Sequence, residues 1–291
     1  MMHVDIPLRR RPAFCVPKGP SFQWAKTIKT DIAGTKIEFR APKHSPTKRL
    51  KGKPLLPDKY YIPNTMSFTS NFSPEFTVAD LWEYVPLFKH CWGFYGPWFT
   101  GNLANLEMYF NIIQPKESAR TPKKNTSFFH PRVFEQVVGD YLTNKYSIHQ
   151  DDGQAEWMAP INWQPLTSLP TVAVRLQVHQ DERITTSGYR EHIFFPISDH
   201  QMGVISFMSW QKISAGKSQK EIDAEISPEN ITSLKDSIVD SLKVELSPEA
   251  TAAQIQALEG LDDTSLIKTF APMQWSTNKS SEHSEPLKSL G

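Results

Sequence analysis

The 291-residue chain is poor in cysteine and contains no long apolar run. Cys15 and Cys91 are its two cysteines, too few for a disulfide framework or a four-cysteine metal site. No window approaches the roughly 18 apolar residues that a membrane helix needs. Charged residues and prolines interrupt the start of the chain, where a secretory signal would need an apolar segment. These absences predict a cytoplasmic protein that makes no membrane contact.

The sequence also lacks the short motifs of common catalytic and cofactor sites. Gly-x-Gly-x-x-Gly, the phosphate-binding P-loop, His-Glu-x-x-His, Gly-x-Ser-x-Gly and Cys-x-x-Cys do not occur in it. We therefore predict no cofactor and no metal site. Because an active site can be assembled from distant residues, the missing motifs favour a non-catalytic protein without excluding an enzyme.

The chain does contain a polarised distribution of charge behind its net charge of +1. Residues 1–60 hold 14 lysines and arginines against 4 acidic residues, whereas residues 221–291 hold 5 against 13. The two ends could attract each other in the folded molecule. Alternatively, one end docks a partner of opposite charge, and Arg9, Arg10 and Arg11 are then the basic candidates for that contact.

Prolines and polar stretches divide the chain into three regions. Residues 1–60 are predicted to be a basic, proline-rich arm with one strand over residues 35–40, where Ile37 and Phe39 alternate with polar residues. Residues 61–275 are predicted to be a single domain. Residues 276–291 are polar and without an apolar period, which predicts a disordered tail.

Apolar periodicity predicts the elements of the central domain. Spacings of three and four predict helices over residues 131–146 and 228–246, the second with Ser227 as its N-cap. A further helix over residues 248–258 begins at Ser247 and ends before Gly260. Strands are predicted over residues 61–72, 103–113, 156–163, 171–179, 189–195 and 202–210. Because the strands come in consecutive groups, we expect an α+β fold, an antiparallel sheet with helices packed on it.

The densest aromatic run in the chain spans residues 90–101. Tryptophan and tyrosine are frequent hot-spot residues of protein interfaces, although alternate residues of a strand also fill a core. We predict a partner-binding surface from this run together with the three N-terminal arginines. Its aromatic members are Trp92, Phe94, Tyr95, Trp98 and Phe99.

Two other functions stay open from the sequence. A hydrolase with a noncontiguous His/Asp/Cys site requires Cys91, His130, His192 and His200 to line one concave pocket. Nucleic-acid binding would use the basic residues between 9 and 53, which show neither helical spacing nor repeated aromatic residues, so a nucleic-acid partner is not expected.

The order of elements in the second half resembles a known family. A helix over residues 131–146 precedes antiparallel strands, the hairpin Phe194–Phe207 and a helix that contains Asp236–Leu242. This order over residues 100–245 resembles the α/β/α sandwich of PsbP, Mog1 and DcrB. The resemblance implies a non-catalytic module that binds proteins or assists assembly, and it transfers no functional residue. We therefore expect a protein that binds a charged protein partner, such as a bacterial immunity protein or an adaptor of a toxin-delivery system.

Overall fold

The computed structural model of the chain describes residues 7–10, 12–48, 53–58, 60–61, 81–116, 127–147, 150–151, 154–180, 189–212 and 217–275. Arg11, most of the strand predicted over residues 61–72 and the tail predicted over residues 276–291 lie outside these ranges. None of the helices in the described ranges is both long enough and apolar enough to cross a membrane.

The described elements follow one another in an α+β order, which confirms the predicted fold class. The strands are β1 Lys26–Ile32, β2 Thr35–Ala41, β3 Tyr60–Tyr61, β4 Trp82–Tyr95, β5 Asn102–Pro115, β6 Gln150–Asp151, β7 Gln154–Ala155, β8 Trp157–Pro165, β9 Val174–Gln180, β10 Tyr189–Pro196, β11 Met202–Gln211 and β12 Lys243–Glu245. The helices are α1 Pro131–Tyr146, α2 Gln219–Glu225, α3 Glu229–Asp240 and α4 Pro248–Leu258.

Six long strands form the main antiparallel sheet in the order β4-β5-β11-β10-β9-β8. The strands predicted around residues 103–113, 156–163, 171–179, 189–195 and 202–210 are confirmed as five of them. The β10–β11 hairpin closes where the Ile197 amide donates to the Gln201 carbonyl over 3.0 Å. Strand β4 lies at one edge of this sheet and carries the first half of the aromatic run.

A smaller sheet, ordered β12-β2-β1-β3, is built largely from the N-terminal arm. The prediction of a single strand in the arm was wrong, because β1 precedes β2 and pairs with it through a turn in which Ala33 and Gly34 have positive φ. The Asp31 carboxylate accepts a hydrogen bond from the Gly34 amide over 2.7 Å and fixes that turn. Strand β1 was not predicted from the sequence because most of its residues are exposed or half-buried.

The main core lies between the two sheets and is completed by α3. The ring of Phe39 from β2 makes edge-to-face contacts with Phe88 at 5.1 Å and with Phe110 at 6.0 Å between centroids. Ile231, Leu234 and Ile238 of α3 belong to the same apolar cluster. Helix α1 covers the opposite face of the main sheet with a separate cluster that includes Phe134 and Val138.

The helix predicted over residues 228–246 is shorter than expected. Helix α3 ends at Asp240, and the next residues turn into β12, which pairs with β2. The Ser241 hydroxyl stabilises this exit because it accepts a hydrogen bond from the Arg40 amide over 2.9 Å. Ser227 was predicted as the N-cap, but Pro228 occupies that position and the Ser227 hydroxyl accepts from the Glu229 amide instead.

The N-terminal arm is hydrogen-bonded along the outer edge of β4. Lys18 and Tyr95 exchange two backbone hydrogen bonds of 2.8 and 2.9 Å, and the Gly93 amide donates to the Ser45 carbonyl over 3.0 Å. On the inner side, Trp92 Nε1 and His90 Nδ1 both donate to the carbonyl of Pro42. The arm therefore covers a sheet edge that would otherwise offer unpaired backbone groups.

A buried ion network fastens α3 to the main sheet. The Glu191 carboxylate of β10 accepts from Arg175 Nε and from Lys235 Nζ, each over 2.8 Å. Arg175 also reaches Asp236 over 2.6 Å. Because Glu191 and Lys235 are both buried, neither charge can be compensated by water.

Substitution Glu191→Gln is expected to lower the free energy of unfolding by about 3–5 kcal/mol, because it leaves the Lys235 ammonium buried without its carboxylate. Urea unfolding measures this loss. Glu245→Gln is the matched control, since Glu245 pairs with Lys36 at the exposed surface and its removal should change stability little. Equal losses for the two variants would contradict a buried clamp.

Candidate functional site

The turn that joins β4 to β5 exposes two aromatic side chains to solvent. The Gly96 amide donates to the Gly101 carbonyl over 3.0 Å, and the Thr100 hydroxyl donates to the Pro97 carbonyl over 2.8 Å. Between these bonds Trp98 and Phe99 adopt φ angles of +51° and +63°. The left-handed region costs a residue with a side chain about 1–2 kcal/mol, so the turn carries a conformational penalty at both positions.

The two aromatic side chains leave much of their apolar surface in water. Trp98 is 76% exposed and Phe99 is 50% exposed. Glycine or asparagine would satisfy the same backbone at lower cost. Strained backbone that presents exposed side chains is a feature of functional sites, which makes this turn a candidate for one.

The N-terminal segment meets this turn and adds positive charge to it. The Leu8 amide donates to the Phe99 carbonyl over 2.9 Å, and the Leu8 side chain is 70% exposed. Arg9 and Arg10 follow at once, and both are exposed. A cavity of about 400 Å³ lies between the two segments and is lined by Arg9, Arg10, Pro12, Pro97, Trp98 and Thr100. We call Leu8, Arg9, Arg10, Trp98 and Phe99 the tip surface.

The structure thus brings together four of the residues predicted from sequence as a partner surface, namely Arg9, Arg10, Trp98 and Phe99. Whether they bind a partner stays a prediction. Trp92 and Phe94 do not join them, since both are buried in the core between the sheets. Tyr95 is half-buried at the end of β4. Sequence reasoning missed Leu8, which has no periodic neighbours to mark it.

No family model matches the chain, and no curated protein or solved structure is significantly similar to it. The resemblance of residues 100–245 to the PsbP, Mog1 and DcrB sandwich therefore stays a prediction. The function of the chain has to be inferred from its own residues.

Cys91 has the chemistry of a buried structural thiol. It is fully buried on β4, and its Sγ donates to Glu107 Oε1 over 3.2 Å. Burial, together with the negative charge of Glu107, raises the pKa of the Cys91 thiol to about 12. A thiol with this pKa stays protonated at neutral pH and is a poor nucleophile.

His192 lies too far from Cys91 to act as its base. The two residues stand on β4 and β10, three strand spacings apart in the sheet, which is about 14 Å. His192 is buried between the Tyr146 hydroxyl at 2.7 Å and the Ser206 hydroxyl at 2.8 Å. Burial holds the pKa of His192 well below its ordinary value, so the ring is neutral.

The other two histidines of the hydrolase hypothesis lie at a different place. His130 and His200 line a surface cleft of about 300 Å³ together with Asp199. His130 Nδ1 is used structurally, since it accepts from the Arg132 amide and caps α1. The structure therefore divides the predicted hydrolase residues among three places, namely Cys91, His192 and the cleft of His130 and His200. Across the described ranges, no group of three or more His, Cys, Asp or Glu side chains could hold a metal ion.

The basic arm and the acidic end touch through their strands. Lys36 of β2 pairs with Glu245 of β12 over 2.9 Å, and Lys29 pairs with Glu38 within the arm. Part of the positive charge that the nucleic-acid hypothesis needs is thus neutralised internally. Arg9 and Arg10 differ from Lys29 and Lys36, since neither arginine has an ion pair among the described residues.

In a Cys15→Ser variant, the Cys91 thiol is expected to react with a chromogenic disulfide reagent at about pH 8 on the order of a thousandfold more slowly than in the unfolded chain. The physical reason is its raised pKa together with its burial. Absorbance of the released thiolate, with and without guanidinium, measures both rates. A fast reaction in the folded protein would show that Cys91 is an activated nucleophile.

Trp98→Gly is expected to raise the free energy of unfolding by about 1 kcal/mol, because glycine adopts the left-handed backbone without the penalty. Trp24→Gly provides the contrast, since Trp24 is 78% exposed but lies in a short 3-10 helix and has no positive φ. There we expect a small loss instead. Chemical denaturation of both variants measures the signs. A clear loss of stability in Trp98→Gly would mean that the indole serves the fold.

Proposed function

We propose that the chain is a non-catalytic protein-binding protein and that its partner docks on the tip surface. The observation that carries the proposal is the pair of neighbouring aromatic residues, Trp98 and Phe99, exposed on strained left-handed backbone. A docked partner would remove their apolar surface from water, which would offset the conformational penalty.

The composition of the tip surface supports a protein interface. Tryptophan and arginine are among the most frequent hot-spot residues, and here they lie side by side around one cavity. The turn that carries Trp98 is fixed by its own hydrogen bonds, so little ordering entropy would be lost on binding.

The charge of the chain supports a partner that is itself charged. Residues 1–60 carry a surplus of ten positive charges, from 14 basic and 4 acidic residues, and the tip surface begins in this segment. Such a surplus would accelerate capture of an acidic partner. We propose a cytoplasmic role of the kind that an immunity protein or an adaptor of a bacterial toxin-delivery system has. The buried cysteines, which form no disulfide, support a reducing compartment.

Affinity capture on the immobilised full chain tests the proposal. We expect the wild type to retain a stoichiometric protein from lysate. Trp98→Ala/Phe99→Ala should retain at least about tenfold less of it, because the partner loses its main apolar contacts. Quantitative mass spectrometry of the eluates measures this difference.

Trp24→Ala is the matched control, because it removes an equally exposed tryptophan that does not line the cavity of the tip surface. It should retain the partner like the wild type. The proposal fails if the tip variant and the control retain the same proteins in equal amounts.

A further inference from the structure

The cavity of the tip surface has walls of two chemical kinds. Pro12, Pro97 and Trp98 provide apolar surface, and the two arginines provide positive charge. The volume of the cavity is about 400 Å³, and the cavity is open to solvent. A recess of this size accepts side chains of another molecule.

The positive charge at the cavity is distinguished by its position, since other cations of the arm, such as Lys26 and Lys43, also make no ion pair within the described ranges. Lys29 and Lys36 each hold a carboxylate of this chain, at 2.6 and 2.9 Å. Arg9 and Arg10 make no such pair within the described ranges, although they are adjacent in sequence and line the same cavity. Two arginines that line one cavity concentrate positive charge there, and the planar guanidinium group matches the geometry of a carboxylate.

We infer that the tip surface binds an acidic segment of the partner protein in which a carboxylate side chain lies next to a large apolar side chain. The inference rests on the proposed function and names the chemistry of its partner. The carboxylate pairs with Arg9 and Arg10, and the apolar side chain enters the cavity against Trp98.

The form of the site favours a protein segment over a lipid surface. A flat bilayer would contact the exposed rings of Trp98 and Phe99 but would leave the recess behind Trp98 unfilled. A side chain of a polypeptide fills the recess and places its own carboxylate beside the arginines. Both the apolar and the ionic contact are then made by neighbouring residues of one segment.

Selection of random peptides displayed on phage against the immobilised full chain tests the inference. We expect the enriched peptides to carry aspartate or glutamate beside Phe, Trp or Leu. Synthetic versions should bind about 30-fold more weakly to Trp98→Ala and at least about tenfold more weakly to Arg9→Ala/Arg10→Ala. Replacing the peptide carboxylate by its amide should have the same effect as removing the arginines.

Two variants control for exposed aromatic surface and for net charge. Trp24→Ala removes an exposed tryptophan elsewhere, and Lys26→Ala/Lys43→Ala removes two exposed charges from the same arm. Both should bind the selected peptides like the wild type. Equal weakening by Lys26→Ala/Lys43→Ala would overturn the inference, because attraction would then depend on net charge alone.

Other outcomes overturn the inference, and they show whether the inference alone or also the proposed function has failed. Neutral or basic enriched peptides would overturn it, as would stronger binding to phosphatidylserine–phosphatidylcholine vesicles than to any selected peptide. If captured protein still depends on Trp98 and Phe99 while the peptides are not acidic, the function stands and the partner chemistry is wrong. If the captured proteins ignore the tip variant, the function itself fails.

Discussion

The hydrogen bonds between the N-terminal arm and the edge of β4 determine where the other parts of the molecule lie. They pair Lys18 with Tyr95, Ser45 with Gly93 and Leu55 with Lys89, so the arm is held along the second half of one strand. Because the arm is fixed there, β2 lies over the main sheet and places Phe39 in the core. The same bonds carry the start of the arm to the end of β4, where Leu8 reaches Phe99. Both the position of Phe39 in the core and the position of Leu8 in the tip surface therefore depend on pairing along the β4 edge.

The strongly periodic elements could be predicted from sequence, and the elements defined by their neighbours could not. Helix α1 and the five strands from β5 to β11 that build the main sheet bury one or both faces, so their apolar spacing is visible. Strand β1 is mostly solvent-facing, and β12 is three residues long and exists because β2 offers it an edge. The partner of β12 lies far away in the chain, whereas β1 pairs with the next strand but has few buried residues to mark it.

The candidate site could be predicted from the sequence only in part, for a similar reason. The aromatic run does not itself say where β4 ends, and that point separates buried Trp92 and Phe94 from exposed Trp98 and Phe99. Gly96-Pro97 is a turn signal that could have marked the boundary. No sequence pattern could have shown that Arg9 and Trp98 line one cavity, because that contact follows from pairing along the β4 edge.

The residues that look reactive in the sequence are used to hold the fold. Glu107 accepts hydrogen bonds from the Cys91 thiol and from the Tyr109 hydroxyl, and His192 is held between two hydroxyl groups. Buried polar groups of this kind must be satisfied internally, and here they are satisfied by neutral partners. Their side chains are therefore engaged with each other inside the fold.

The left-handed backbone at Trp98 and Phe99 also gives these positions a distinctive evolutionary behaviour. Mutation without selection for binding would drift toward glycine and asparagine there, since those residues fit the turn with less strain. On the proposed function, binding of the partner is what maintains aromatic residues at both positions. If the tip surface binds a partner as proposed, two positions distinguish related chains: an aromatic pair is expected where the interaction is kept, and glycine or asparagine where it is lost.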